Sequence, residues 1–279
     1  MNRKHFTFTC EGAQLVGTID MAQATTGLLI VSGGNEVRAG PWGSQALLAD
    51  RIAAAGFPVL RFDRRGVGDS EGENATFTGS GPDIAAAINA FRAHVPTLRK
   101  IVAFGNCDAA SALMLAKGAM CDALVLANPW TFDPEPEAEP EAVAEAAAPE
   151  PEPEATPMPP SAMRSYYLRR LTNPAALKRL FSGKVKVTKM ASSLVEAVKP
   201  APPPSSLAQD MAEALKAYYG PATILLAEND RTAQAFKAVW DKDDPRLRTC
   251  PKAGHSFVEP QATIWLQGQI LAALRGVSP

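Results

Sequence analysis

The chain has 279 residues, of which 46% are hydrophobic, and its 28 Lys and Arg nearly balance its 29 Asp and Glu. This length and apolar content suit one α/β domain with a large core, while a net charge of −1 does not by itself identify a partner. The four cysteines lie far apart without CxxC spacing, which argues against a zinc site and a dense disulfide framework.

The first residues, MNRKHFTFTCEG, contain no apolar segment of the kind found in signal peptides. No run along the chain approaches the roughly 18 apolar residues that a membrane helix needs. We therefore expect a cytoplasmic protein whose cysteines stay reduced.

Strand and helix patterns then alternate. HFTFT and LVGTI predict a hairpin, and LLIVS, PVLRF, KIVAF, ALVLA and TILLA are short runs typical of a sheet covered on both faces. Alternating units of this length predict a mostly parallel sheet, with the chemistry at the carboxyl ends of its strands. Two helices between the strands show apolar stripes, one formed by Ala46, Leu47 and Ala53 and the other by Ile84, Ile88, Phe91 and Val95.

Two glycine-rich turns follow early strands. In LLIVSGGNEVRAG, Gly33 and Gly34 allow the backbone to approach a bound oxygen closely. The pair lacks both GxGxxG spacing and the P-loop lysine, so we expect no nucleotide here, and we expect no nucleic-acid partner. In RFDRRGVGDSEG the glycines permit positive φ, and we expect Asp63 and Arg65 to pair and hold the turn.

GNCDA places Cys107 in a tight turn between a strand and a helix. A nucleophile elbow needs small residues two before and two after the nucleophile, because the backbone is strained and the helix packs close to the strand. Gly105 and Ala109 meet that need. A buried structural cysteine is the alternative, so the motif alone does not decide the role of Cys107.

Two later strand ends supply an acid and a histidine. Asp230, in TILLAEND, either orients a histidine or only caps the next helix. His255 lies in a loop after a late strand, whereas we expect His5 and His94 to be structural or exposed. The order nucleophile, acid, histidine is that of α/β-hydrolases, and Asp133 is an alternative acid.

The segment between ALVLA and TILLA has an unusual composition. Of residues 134–160, 24 are Pro, Glu or Ala, which predicts disorder or loose polyproline II structure. Residues 161–200 carry nine Lys or Arg against one Glu. This basic segment predicts either a solvated helical surface neutralised by the acidic tract or attraction to an anionic membrane or glycan.

The SGGN turn, the LLADRIAAAGFPVLRFDRRGVGDSEG block, the GNCDAAS elbow, LLAENDRTAQAF and the last histidine together resemble the α/β-hydrolase superfamily, near its serine aminopeptidase and monoglyceride-lipase-like branch. More narrowly they resemble hydrolase 1 of the exosortase A-associated system, a bacterial cytoplasmic family linked to exopolysaccharide production and PEP-CTERM protein sorting. The resemblance implies a mostly parallel sheet covered by helices on both faces. It also implies a helical lid over residues 131–205, between two parts of the core at 1–130 and 206–279.

The resemblance implies a triad of Cys107, Asp230 and His255. The imidazole and a helix N-terminus favour a thiolate, which attacks an activated ester, thioester or lactone. The second oxyanion donor of the family corresponds to the N–H of Gly34 or Asn35, beside that of Asp108. We expect hydrolysis or acyl transfer on a small molecule or an acylated glycan or lipid, with no metal and no cofactor, and peripheral membrane contact through the basic segment. The alternative is a noncatalytic accessory protein of a polysaccharide or sorting assembly.

Overall fold

The computed structural model of the protein describes residues 2–132 and 205–278, and eight strands in these two ranges form one sheet. The strands are β1 (Arg3–Cys10), β2 (Ala13–Asp20), β3 (Thr26–Val31), β4 (Val59–Phe62), β5 (Lys100–Asn106), β6 (Ala123–Ala127), β7 (Ala222–Ala227) and β8 (Leu247–Cys250). Their spatial order is β1-β2-β4-β3-β5-β6-β7-β8. β2 is antiparallel to both of its neighbours, and all other neighbours are parallel. The predicted hairpin and mostly parallel sheet are therefore confirmed.

Helices cover both faces of the sheet. In the described ranges they are α1 (Ser44–Ala54), α2 (Gly81–His94), α3 (Asp108–Leu115), α4 (Ser206–Lys216), α5 (Arg231–Val239) and α6 (Pro260–Val277), with 3-10 turns at Pro41–Gly43 and Lys117–Met120. α1 and α6 bury their apolar residues against one face, and α2, α3, α4 and α5 bury theirs against the other. None of these described helices is both long and apolar enough to cross a bilayer.

The predicted apolar stripe of α2 is confirmed, since all four of its members are buried. The stripe predicted for α1 is wrong. The helix instead buries Leu48, Ala49 and Ile52, while Leu47 stays 57% exposed. The 3-10 turn that precedes Ser44 sets the rotation of α1, and a short apolar run does not reveal that rotation.

The turn after β4 is held by partners other than those predicted. Asp63 is fully buried and accepts hydrogen bonds from the backbone and the guanidinium of Arg38, in the loop after β3. Arg65 lies on the other side of the turn and pairs with Asp83 of α2. Gly68 has φ 58°, and a Cβ there would lie 2.5 Å from the Asp63 carboxylate, so the predicted need for glycine is met.

Residues 133–204 lie outside the described part of the chain, and so do the predictions for the Pro/Glu/Ala tract, the basic segment and the lid. The two described ranges meet in the sheet, where β6 and β7 pair in parallel. Ser205 also contacts the end of the first range, because its hydroxyl donates to the Thr131 carbonyl at 2.6 Å. The proposed boundaries at 130 and 206 stay a prediction.

Candidate active site

Cys107 lies at the tip of a strained turn between β5 and α3. Its φ of 60° and ψ of −129° are angles that non-glycine residues rarely adopt, at a cost of about 1–2 kcal/mol. A Cβ on Gly105 would lie 2.7 Å from the carbonyl carbon of Ala109, which is itself fully buried. The strand and helix thus approach closely only because both positions are small, and Cys107 is left half-buried at the helix N-terminus.

Asp230 contacts a histidine and caps a helix at the same time. One carboxylate oxygen lies 3.0 Å from Nδ1 of His255, and the other accepts from the backbone N–H of Ala233 at 2.9 Å. The Asp230 side chain is 7% exposed, and that of His255 is 40% exposed. The two roles that the sequence left as alternatives therefore coexist, since each uses a different oxygen.

The ring of His255 also forms a hydrogen bond with Cys107. The bonds to Asp230 and then to Cys107 raise the pKa of His255 from 6.5 to about 10, against burial, which lowers it. Nδ1 faces the carboxylate, so Nε2 is the nitrogen left for the thiol. The arrangement favours an imidazolium between two partners that can both be anionic.

Two asparagines hold the backbone of His255. Asn128, at the end of β6, donates to the His255 carbonyl at 2.9 Å, and Asn106, at the end of β5, donates to the same oxygen at 3.3 Å. Asn128 is fully buried, has φ 43° and accepts the Ala227 N–H at 2.8 Å. Sequence analysis missed both residues. The signal was available, because KIVAFGN and ALVLAN are adjacent strands that each end in asparagine.

The Gly34 N–H is engaged by a carboxylate. It lies 2.8 Å from each oxygen of Asp108, the residue that follows Cys107. A Cβ on Gly33 would lie 2.5 Å from the same carboxylate, which explains the second glycine. Asn35 accepts instead from the side chain of Asn74, at 2.8 Å. The structure therefore brings Gly34 and Asp108 into contact, but the Gly34 N–H already donates to the Asp108 carboxylate and is not free to bind a substrate oxygen.

Further charged groups surround this corner. Arg64 is buried and donates to the Gly34 carbonyl, and burial lowers its pKa although Asp108 opposes the change. Burial raises the pKa of Glu36, and the nearby charge of His255 lowers it in part. Asp133, the alternative acid, lies outside the described residues. Among them, no group of His, Cys, Asp and Glu side chains is arranged to hold a metal ion.

The strand order, together with a cysteine after β5, a carboxylate after β7 and a histidine after β8, defines an α/β-hydrolase fold. A model of the alpha/beta hydrolase family matches residues 28–264. The chain belongs to that family, and its enzyme class is that of a hydrolase. No protein of curated function matches the sequence.

Solved structures of similar fold include several esterases. An esterase from Pyrococcus furiosus has 12% identity and a TM-score of 0.61, over 100% of this chain and 92% of that one. Est1E from Butyrivibrio proteoclasticus, with ferulic acid bound, has 15% identity and a TM-score of 0.59, over 97% and 99%. A serine hydrolase without a lid from Xanthomonas campestris has 15% identity and a TM-score of 0.57, over 100% and 96%. At these identities the likeness shows the fold alone.

Proposed function

We propose that the protein is an acyl hydrolase or acyltransferase in which Cys107 is the nucleophile, His255 the general acid and base, and Asp230 the residue that orients the imidazole. The observation that carries the proposal is the chain of hydrogen bonds from Asp230 through His255 to Cys107. A cysteine that only packs in the core has no need of an imidazole beside it that a buried carboxylate orients.

The reaction proceeds in two balanced steps. The Cys107 sulfur attacks the carbonyl carbon of an ester, and the C=O electron pair moves to oxygen. The adduct collapses as the bond to the leaving alkoxide breaks and Nε2 of His255 gives that oxygen its proton, which leaves an acyl thioester on Cys107. Water then gives a proton to His255 and attacks the thioester, and the C–S bond breaks to release the acid. An acceptor hydroxyl in place of water gives acyl transfer.

The oxyanion requires two donors, and we propose the backbone N–H of Asp108 as one of them. The second is the N–H of Gly34 or Asn35. For Gly34 to serve, the Asp108 carboxylate must leave the position that it holds at 2.8 Å. The carboxylate is then a stand-in for the oxyanion, since it offers an anionic oxygen to the same donor.

The substrate is a small molecule with an activated acyl group, such as an ester, thioester or lactone. An amine leaves a tetrahedral adduct less readily than an alkoxide or a thiolate, so esters and thioesters suit Cys107 better than amides. On the narrower sequence resemblance we propose a cytoplasmic protein of an exosortase A-associated system, acting on an acylated glycan or lipid. Contact with a membrane through the basic segment 161–200 is part of the same proposal.

A noncatalytic accessory role is the second candidate, and one observation favours it. The Asp108 carboxylate already fills the Gly34 N–H, and a fixed negative charge there opposes the formation of an oxyanion. Under this hypothesis the site is degenerate, and the protein docks in a polysaccharide or sorting assembly.

Release of p-nitrophenol from p-nitrophenyl butanoate separates the two candidates. The proposed enzyme releases p-nitrophenol, and it gives a burst equal to the concentration of active sites when hydrolysis of the acyl-enzyme is slower than acylation. Cys107→Ala and His255→Ala abolish the burst, while Cys121→Ala, a control at a buried cysteine on the edge of the core, keeps it. No release of p-nitrophenol from p-nitrophenyl esters, of thiol from thioesters or of hydroxy acid from lactones by the wild-type protein would leave the accessory role.

A further inference from the structure

A cavity of about 320 Å³ lies between α1, the end of β5 and the loop after His255. Its buried walls are apolar and include Leu48, Phe104, Phe257 and Leu266. Asn106 and Ser256 also line it, and these residues are the chain neighbours of Cys107 and His255. The cavity has the size of a ligand pocket, and its wall includes the residue before Cys107 and the residue after His255 in the chain.

Large apolar side chains remain exposed around this cavity. Trp42, Leu47 and Val258 line it and are 94%, 57% and 61% exposed. Exposed apolar side chains that gather round one concave site mark a place where an apolar ligand is bound. The exposure of Leu47 also explains why the predicted stripe of α1 was wrong: this leucine faces the cavity instead of the core.

Trp42 is held at the rim by a strained backbone. Its φ is 48°, in the left-handed region that an aromatic residue rarely adopts, and it lies between Gly40 at φ 71° and Gly43 at φ 72°. Such strain persists where the surrounding structure imposes it, and it is concentrated at binding and catalytic sites. An indole that is 94% exposed gains little from burial in the described structure. Packing among the described residues therefore does not account for the strained position of Trp42.

We propose that this cavity binds the aliphatic acyl chain of the substrate, and that it selects medium-length acyl groups over short ones. The inference rests on the proposed function, because the chain is the one that becomes attached to Cys107. The acyl group stays on the sulfur through both steps, whereas the alcohol departs after the first. A permanent apolar cavity beside the elbow therefore serves the acyl group in the whole reaction.

The test measures kcat/KM for p-nitrophenyl esters from acetate to octanoate, with hexyl and octyl acetates as the series that lengthens the alcohol. Each methylene that enters the cavity raises kcat/KM by about fourfold, which corresponds to ~0.8 kcal/mol. Trp42→Ala lowers the octanoate to acetate ratio by about tenfold, and Leu47→Trp moves the optimum to shorter acyl chains. Ile264→Ala is the matched control, because Ile264 is 72% exposed on α6 but does not line the cavity.

The outcomes distinguish this inference from the proposed function. Activity that depends on Cys107 but is flat across the acyl series, or that follows the alcohol series, overturns the inference and leaves the function standing. If no acyl donor is cleaved, the function fails, and the cavity is tested by titration calorimetry of Cys107→Ala with methyl octanoate and methyl butanoate. Tighter binding of the octanoate, weakened by Trp42→Ala, supports an acyl-chain site. Equal or absent binding of both esters overturns it.

Discussion

The pKa of His255 provides the sharpest test of the candidate site. Hydrogen bonds to Asp230 and Cys107 raise it from 6.5 to about 10, and burial acts in the opposite direction. Asp230 is the larger cause, so Asp230→Asn lowers the pKa more than Cys107→Ser does. With both partners replaced, burial opposes the imidazolium while the nearby Glu36 carboxyl still favours it, and the pKa falls well below 10.

The sign of the effect fixes the pH range. A folded-state pKa above that of the unfolded chain means that the fold binds the imidazolium preferentially. The resulting stabilisation is fully present below about pH 6.5 and is lost as the pH rises through about 10. Proton donation by His255 to the leaving group is lost over the same upper range, so kcat/KM declines near pH 10.

Ring ¹⁵N chemical shifts of histidine, recorded from pH 5 to pH 11, measure the pKa directly. The chain has three histidines, and the His255 signal is the one that disappears in His255→Gln. We expect a midpoint near 10 in the wild-type protein and lower midpoints in the two single variants. A wild-type midpoint near 6.5, or the same midpoint in Cys107→Ser, would refute the hydrogen-bonded chain on which the proposed function depends.

Three further predictions follow from contacts at the strand ends. At pH 7, we expect iodoacetamide to alkylate Cys107 about a hundredfold faster than the other three cysteines, because burial raises the pKa values of those three thiols. Peptide mass spectrometry measures the four rates, and equal rates would contradict an activated thiol. Asn128→Ala leaves the His255 carbonyl and the Ala227 N–H without this partner, which lowers the free energy of unfolding by ~1–3 kcal/mol, and it lowers kcat more than it raises KM. Urea unfolding measures the first effect and ester kinetics the second. An unchanged kcat would show that the asparagine is structural only. Gly33→Ala places a methyl group 2.5 Å from the Asp108 carboxylate, so the carboxylate is displaced and kcat changes by about tenfold or more. Gly268→Ala is the control, because a methyl group there has open space around it, and its kcat is unchanged. Equal kcat in the two variants would show that the position of the Asp108 carboxylate does not affect the reaction.

The convergence of the candidate residues was predictable because it follows from chain direction. Cys107 and Asp230 follow strands that the apolar runs identify, and His255 follows β8, a short strand without such a run. Parallel strands bring their carboxyl ends to one edge. The stripe of α2 was predictable for a similar reason, since helical periodicity is a local property. Whether the three residues act together is a chemical question, and the periodicity of the sequence does not address it.

The parts that were not predicted depend on contacts between distant segments. Asp63 pairs with Arg38 rather than Arg65, because the loop after β3 folds over the end of β4. The Asp108 carboxylate reaches Gly34, which is 74 residues earlier in the chain. Such hydrogen bonds leave no periodic trace, and one sequence does not reveal which of several carboxylates faces a given N–H.

The backbone at the edge of the sheet explains why the fold alone does not identify the nucleophile. Cys107, Asn128, Gly34 and Trp42 all have positive φ, and each of the three non-glycine residues costs about 1–2 kcal/mol. At Cys107 the conformation is set by the close approach of β5 and α3, so serine at position 107 satisfies the same backbone as cysteine. Similarity to esterases and serine hydrolases therefore constrains where the side chain lies and not how it reacts. Under the proposed function the reactivity depends on the ionic state of the sulfur, which the imidazole of His255 would control. The titration of that ring therefore tests the proposal more directly than any comparison of folds.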